Sequence, residues 1–283
     1  MLEETKDKRY VKKWHGLDAQ KQGQGKFTVD KEYGYNRVIA QWLSIVNNIL
    51  QKHKAWAKPY ILYVDMNAGS GYNEEADCAG SPMEFFLEAE RHGFTKKAFF
   101  IGKNPESCSD LMEIFSAYRS NGIELSICNG DSVGILPDIV DKYGSKAYGV
   151  IYFDPNGIKM NAQKNVFDVA REISLNKNFK LIEILIRISG TNYKRIRRTF
   201  PGKYPALRDQ LQSINKSKWI CRKIAIDEQG HRDPWQWTFL LGTNWTDYRA
   251  WENEGFYPID DPRSDFAIIN NTISEGGDSS ASS

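Results

Sequence analysis

Five short apolar runs, each ended by a polar or glycine-containing loop and separated by helical segments, constrain this chain more than anything else in it. The runs are Ile61–Asp65, Lys97–Gly102, Glu124–Cys128, Val150–Phe153 and Lys180–Ile188. Between them, Pro82–Arg91, Ser107–Arg119, Val133–Tyr143 and Asn161–Leu175 read as helices, with Ser81 as the expected N-cap of the first and Glu84 as its capping-box partner. Repeated strand–helix–strand order builds a parallel sheet, because a parallel neighbour needs a crossover and the helix supplies it. The expected fold class is therefore α/β, a doubly wound and mostly parallel sheet. Two late strands, Trp219–Ile226 and Trp237–Thr243, follow one another across the loop DEQGHRDP and suit an antiparallel hairpin at the sheet edge. A helical pattern from about Asp30 to Lys54 precedes the first strand, with Val38, Ile39, Trp42, Ile45, Val46 and Ile49 on one face.

With 283 residues the chain has ample core for one large domain. The expected division is an arm and helical extension over 1–58, the sheet domain over 59–260, and a flexible tail over 261–283 that ends in GGDSSASS. The N-terminus, MLEETKDKRYVKKWHG, is charged from its third residue, and no stretch approaches the roughly 20 apolar residues that span a bilayer. A cytoplasmic protein with no membrane partner is expected. Cys78, Cys108, Cys128 and Cys221 form no C-x-x-C pair, so they read as reduced thiols, with neither a metal site nor a disulfide framework. The net charge of +2 hides an uneven distribution: residues 171–223 hold fourteen Lys and Arg against Glu172, Glu183 and Asp209. A concentrated basic excess is the electrostatic footprint of a polyanion site.

The sharpest chemistry lies at the strand ends. Ile61–Val64 runs into Asp65 and then Asn67-Ala68-Gly69-Ser70-Gly71, where the glycines permit close backbone approach by a ligand. The spacing is neither the dinucleotide fingerprint nor a P-loop. Further strands end at Asn129-Gly130-Asp131 and at Asp154-Pro155-Asn156-Gly157. On a parallel sheet these ends share one edge, where open α/β sheets bind their ligands.

The order VDMNAGSGY, AGSP, FFIGKN, CNGDS and IYFDPNG resembles the three-Cys-motif partner (TcmP) family of class I S-adenosylmethionine (SAM) methyltransferases. It is also similar to the large-subunit rRNA adenine-N6 methyltransferases, with their D-x-x-A-G-x-G loop and following G-S-P. The likeness covers about residues 30–260. It implies SAM as cofactor, with Asp65, Asn67, Ala68, Gly69 and Gly71 around its methionine part and Ser81 and Pro82 lining the same pocket. Asp131 with Ser132 would meet the adenine, and Asp154, Pro155 and Asn156 would face the methyl group. The implied reaction is methyl transfer to nucleic acid, DNA or RNA, with the exocyclic N6 of adenine as favoured target.

Two departures from the family pattern stand in the sequence. Where the second strand should end in a ribose-binding carboxylate, this chain has Gly102-Lys103-Asn104, so Asn104 would meet the ribose as a neutral amide and Lys103 also suits an anionic ligand. The catalytic Asp/Asn-Pro-Pro-aromatic motif is Asp154-Pro155-Asn156-Gly157, without the ring that stacks on a flipped base. Tyr72, Tyr152, Tyr193, Trp235 or Trp237 would have to supply it. These departures favour the alternative of a methyltransferase-like nucleic-acid-binding protein without catalysis, part of a defence or phage system and with a possible protein partner. In either case Lys194, Arg195, Arg197 and Arg198 are expected on phosphates, beside Tyr193 as a stacking ring.

Overall fold

A computed structural model describes residues 28–52, 58–73, 77–116, 122–155, 158–200, 204–227, 235–245, 247 and 249–270. The chain divides into two compact units, Met1–Tyr152 and Phe153–Ser283, so the boundary falls inside the segment 59–260 expected as one domain. The fold class is the expected one: mostly parallel α/β with flanking helices, a late antiparallel strand and an N-terminal helical extension.

The first unit opens with helix α1, Thr28–Lys52. Its buried stripe, Tyr35, Val38, Ile39, Trp42, Leu43 and Val46, packs on α2, Ser81–Glu90. Strand β1, Tyr60–Asp65, lies between two parallel neighbours, β4 (Lys96–Gly102) and β6 (Ala147–Phe153), and β5 (Ile123–Asn129) runs parallel beyond β4. All six residues of β1 are buried, as expected for a parallel strand covered on both faces. β5 is half-buried over Leu125–Cys128 and exposed at Glu124 and Asn129, because it closes the row. Helix α3, Pro105–Ser116, seats Phe115 on Phe100 of β4 in a stacked pair 5.4 Å apart. Helix α4, Ser132–Tyr143, begins at the cap Asp131 and continues through Pro137, which removes one backbone donor and crowds the carbonyl of Val133. A two-residue hairpin, β2 (Tyr72–Asn73) with β3 (Cys78–Ala79), had no periodicity to announce it.

In the second unit, β7 (Ile182–Ser189) and β8 (Lys218–Arg222) flank β10 (Trp235–Thr243), which is antiparallel to both. Antiparallel pairing closes this end of the sheet as expected, with β10 the interior member of the set: Thr238–Thr243 are all buried, the continuous burial of an interior strand. The expected strand Trp219–Ile226 breaks at Lys223–Ile224. There the backbone N–H of Ile224 turns to the Asp265 carboxylate at 3.0 Å, and a separate β9, Ala225–Asp227, pairs with β10. A further strand, β11 (Phe256–Pro258), pairs with β8.

Helix α5 covers Val166–Ser174 rather than 161–175. Asn161 holds residues 163 and 164 in a turn through its side-chain oxygen, and Asn165 then caps the helix in a reciprocal box with Asp168. Helix α6, Gly190–Thr199, follows β7 directly, and α7 (Leu207–Gln212), α8 (Arg249–Glu252) and α9 (Phe266–Asn270) complete the unit. The segment 261–270, expected as flexible tail, is anchored: Phe266 and Ile269 are buried and Asn270 Oδ1 accepts from the Arg208 N–H at 3.0 Å. Among the described residues no helix is long and apolar enough to cross a membrane.

Candidate functional site

The loop after β1 is held by the strands on either side of it. Met66 N donates to Tyr152 O and Ala68 N to Ile101 O, each at 3.0 Å, so the chain climbs off the sheet edge in a fixed path. Gly71 sits in the left-handed region at φ 85°, which favours glycine, and its carbonyl accepts from Gly80 N at 2.9 Å. A side chain on Gly80 would press on the Gly71 backbone at 3.2 Å. At Gly69, by contrast, an added Cβ would meet nothing within 4 Å. The loop thus has a tightly tied base and an open crest.

Asp65 lies under that loop with none of its surface exposed. Its Oδ1 accepts from Asn67 N at 3.0 Å, and its Oδ2 accepts from Ser81 Oγ at 2.6 Å and from the Tyr63 hydroxyl at 3.4 Å. A buried charge of this kind is tolerable because donors surround it. The Tyr63 hydroxyl also meets that of Tyr35, from α1, at 2.5 Å, and the Tyr63 ring stacks on Phe85 at 3.9 Å. Burial, then the negative charge of Asp65 and the neighbouring Tyr35, push the Tyr63 hydroxyl well above its ordinary pKa, so it stays a neutral donor.

Ser81 is consequently not the helix cap. Gly80 occupies that position without a side-chain bond, and Glu84 accepts from Asn36 Nδ2 at 2.5 Å instead of closing a capping box. Pro82 is buried. Neither Tyr35 nor Tyr63 was singled out from the sequence. The i, i+2 spacing of Tyr63 and Asp65 along a strand was the available signal for the second, whereas Tyr35 lies thirty residues upstream with no local pattern.

The neighbouring strand ends supply a mixed set of groups. Gly102 leaves no room for a side chain, since a Cβ there would lie 2.9 Å from Cys108 Sγ and 3.0 Å from Ala68 O. Asn104 Oδ1 accepts from Glu106 N at 2.9 Å, opening α3, so its amide NH₂ is the part available to a ligand. Lys103 Nζ lies 3.8 Å from Asp131 Oδ1, with the two side chains 54% and 48% exposed, a loosely held surface pair. Asp131 also accepts from Val133 N at 3.4 Å as the cap of α4. Ser132 is buried in the first turn of that helix. Asp65, Asn67, Ala68, Gly69, Gly71, Ser81, Pro82, Asn104, Asp131 and Ser132 all belong to the first unit.

The second unit holds the residues after β6. Asp154 receives the guanidinium of Arg187, a residue of β7, through Nη1 to Oδ1, with both side chains largely buried. Arg187 is the one basic residue within the apolar strand Ile182–Ser189, which also carries Glu183, and that anomaly was its sequence signal. Pro155 is buried, and Asn156 lies outside the described residues. Of the rings that could replace the missing aromatic, Tyr72, Tyr152 and Tyr193 are buried. Trp237 is half-buried, edge-on to Phe239 at 5.9 Å.

Tyr193 does not present a stacking face. Its hydroxyl donates to Pro205 O at 2.9 Å and accepts from Gln210 Nε2 at 2.7 Å, and burial holds its pKa up at about 12. Helical periodicity, not exposure, decides this: on α6 the positions 190 and 193 face inward. Lys194 Nζ donates to Gln236 Oε1 at 3.0 Å and Arg197 Nη1 to Asn270 O at 2.7 Å, while Arg195 and Arg198 are exposed.

No protein-family model and no curated protein matches the chain. Among solved structures it is similar to an rRNA methylase from Streptococcus thermophilus, at 8% identity and a TM-score of 0.36 over 66% of this chain and 89% of that one. It is also similar to the putative methyltransferase yhhF from Escherichia coli, at 10% identity and a TM-score of 0.35 over 71% and 87% of the two chains. The bifunctional kinase-methyltransferase WbdD matches at 10% identity and a TM-score of 0.41, over 72% of this chain and 39% of that one. These values are too low to carry a functional argument, which rests instead on the residues of the chain itself.

Proposed function

We propose that the chain is a SAM-dependent methyltransferase acting on nucleic acid, with the exocyclic N6 of adenine as its favoured target. The observation that carries this reading is the loop at the end of β1, tied down by a fully hydrogen-bonded Asp65 and open above Gly69. In this reading the backbone of Asn67–Gly71 lies against the amino-acid part of SAM, with Asp65, Ser81 and Pro82 shaping the floor beneath it. Asn104 offers its amide NH₂ to ribose oxygens, and the half-exposed Asp131 carboxylate accepts from the adenine amino group. SAM supplies an activated methyl group on a sulfonium centre. Asp154 and the Pro155 carbonyl accept the hydrogens of the acceptor amine, which aims its lone pair along the line of transfer. Positioning supplies the acceleration, and Asp154 need not remove the proton first.

Transfer of tritiated methyl groups from SAM to mixed DNA and RNA tests the reaction. Asp154→Ala is expected to abolish transfer while retaining SAM binding; undiminished transfer would make D-P-N-G a structural turn. A second reading, a nucleic-acid-binding protein without catalysis, draws on the Arg187–Asp154 pair, because a carboxylate engaged by guanidinium is a poorer acceptor for an amine. It expects SAM and nucleic acid to bind with no transfer by the wild-type chain.

A further inference from the structure

We infer that the outward side of α6 and its exit, Arg195, Arg198 and Phe200, form a contact for single-stranded nucleic acid, whereas Lys194 and Arg197 of the same basic run hold the helix in place. The inference rests on the nucleic-acid part of the proposed function and divides a cluster that looks uniform in sequence. Lys194 and Arg197 face inward, bonded to Gln236 of β10 and to the carbonyl of Asn270 at the end of α9. Gln236 N in turn donates to Thr191 Oγ1 at 3.0 Å, so α6 is tied to β10 from both partners.

Arg195 and Arg198 stand three residues apart on the exposed side, a spacing that puts their Cβ atoms roughly 5–6 Å from one another. Arg195 Nη2 reaches only the neutral Asn192 Oδ1, at 2.8 Å. Among the described residues none of Arg195, Arg197 and Arg198 makes an ion pair, and the helix itself contains no acid. Uncompensated guanidinium charge in a segment already rich in Lys and Arg is complementary to a phosphate backbone. Phe200, two residues beyond Arg198 at the helix exit, is 51% exposed. An exposed ring beside phosphate-binding arginines suits an unpaired base, because the faces of paired bases are stacked within a duplex.

The test is fluorescence anisotropy of the full chain with a labelled single-stranded RNA, the matching single-stranded DNA and a duplex, over roughly 50 to 200 mM salt. Arg195→Ala with Arg198→Ala is expected to flatten the slope of log K against log salt on single strands by about 1.4, two phosphate contacts. Lys194→Ala should leave that slope unchanged, whatever it costs in stability. Phe200→Ala should weaken single strands by roughly five- to a hundredfold and change duplex binding little. A wild-type slope in the double arginine variant, or equal losses on single strands and duplex with Phe200→Ala, overturns the inference and leaves the broader reading standing. A wild-type chain that binds SAM but no nucleic acid at low salt overturns both the inference and the nucleic-acid substrate.

Discussion

Asp65 shows how the position of a single carboxylate can be legible in a sequence while its hydrogen-bond partners are not. Its position at a strand end before a Gly loop is plain in the sequence, as is the openness that Gly69 permits. Its partners are tertiary: Ser81 follows the local rule for a helix cap, yet its hydroxyl is drawn to Asp65, where a buried charge rewards a donor more than a helix end does. Ser81→Ala should therefore cost about 1.5–3 kcal/mol in urea unfolding, the range for a bond to a charged group. A loss within experimental error would show that Asn67 N and Tyr63 suffice to hold the carboxylate. Cys221 gives a second prediction at this scale. Burial pushes its thiol from 9.0 up to about 12, so above pH 9 only the unfolded chain readily releases the proton. This contribution to stability is complete below pH 9 and is lost as the pH rises toward 12, by about 2 kcal/mol between roughly pH 9 and 11. Lys216, lowered to about 8 by burial, works in the opposite direction over an overlapping range, so the comparison is wild type against Cys221→Ala in alkaline urea titrations. The variant should lose less stability than wild type across that interval, and parallel curves would place the thiol in contact with water.

At the level of elements, periodicity located the strands and helices well but left their ends to local hydrogen bonding. The start of α5 was decided by a contest between Asn161 and Asn165, two residues of one type four positions apart, and only the second gains a reciprocal partner in Asp168. The interior place of β10 was legible in the run Thr238–Leu241, which lacks polar alternation, but sequential order suggested an edge hairpin. Gly242 leaves room for the Trp219 ring: the two residues pair across β10 and β8, and an added Cβ would lie 2.7 Å from the indole ring. Trp219 is buried, so the ring must shift against its neighbours, and Gly242→Ala should destabilise the fold by about 1–3 kcal/mol, read as a lowered urea midpoint. A neutral substitution would mean that the two strands slide apart freely. Arg187 and Tyr193 carry the same lesson from opposite sides. A charge inside an apolar strand found a carboxylate, and an aromatic inside a basic run found the core, because strand and helix periods decide direction before residue type decides chemistry.

For the whole molecule, the first unit carries the Gly-containing loop after β1 and the second carries the arginine-exposing helix α6, in a chain whose net charge is only +2. The proposed methyltransferase function requires that the loop Asp65–Gly71 takes SAM. Substitution at Gly69 separates binding from folding, because the space above it is open and its backbone is not in the left-handed region. Calorimetric titration of the full chain with SAM and with S-adenosylhomocysteine is the most direct test, carried out on wild type and Gly69→Val alongside their thermal melting. Saturable heat from both ligands with wild type, lost in Gly69→Val at an unchanged melting temperature, is the predicted result. No heat from wild type at millimolar ligand, or undiminished binding by Gly69→Val, would contradict it.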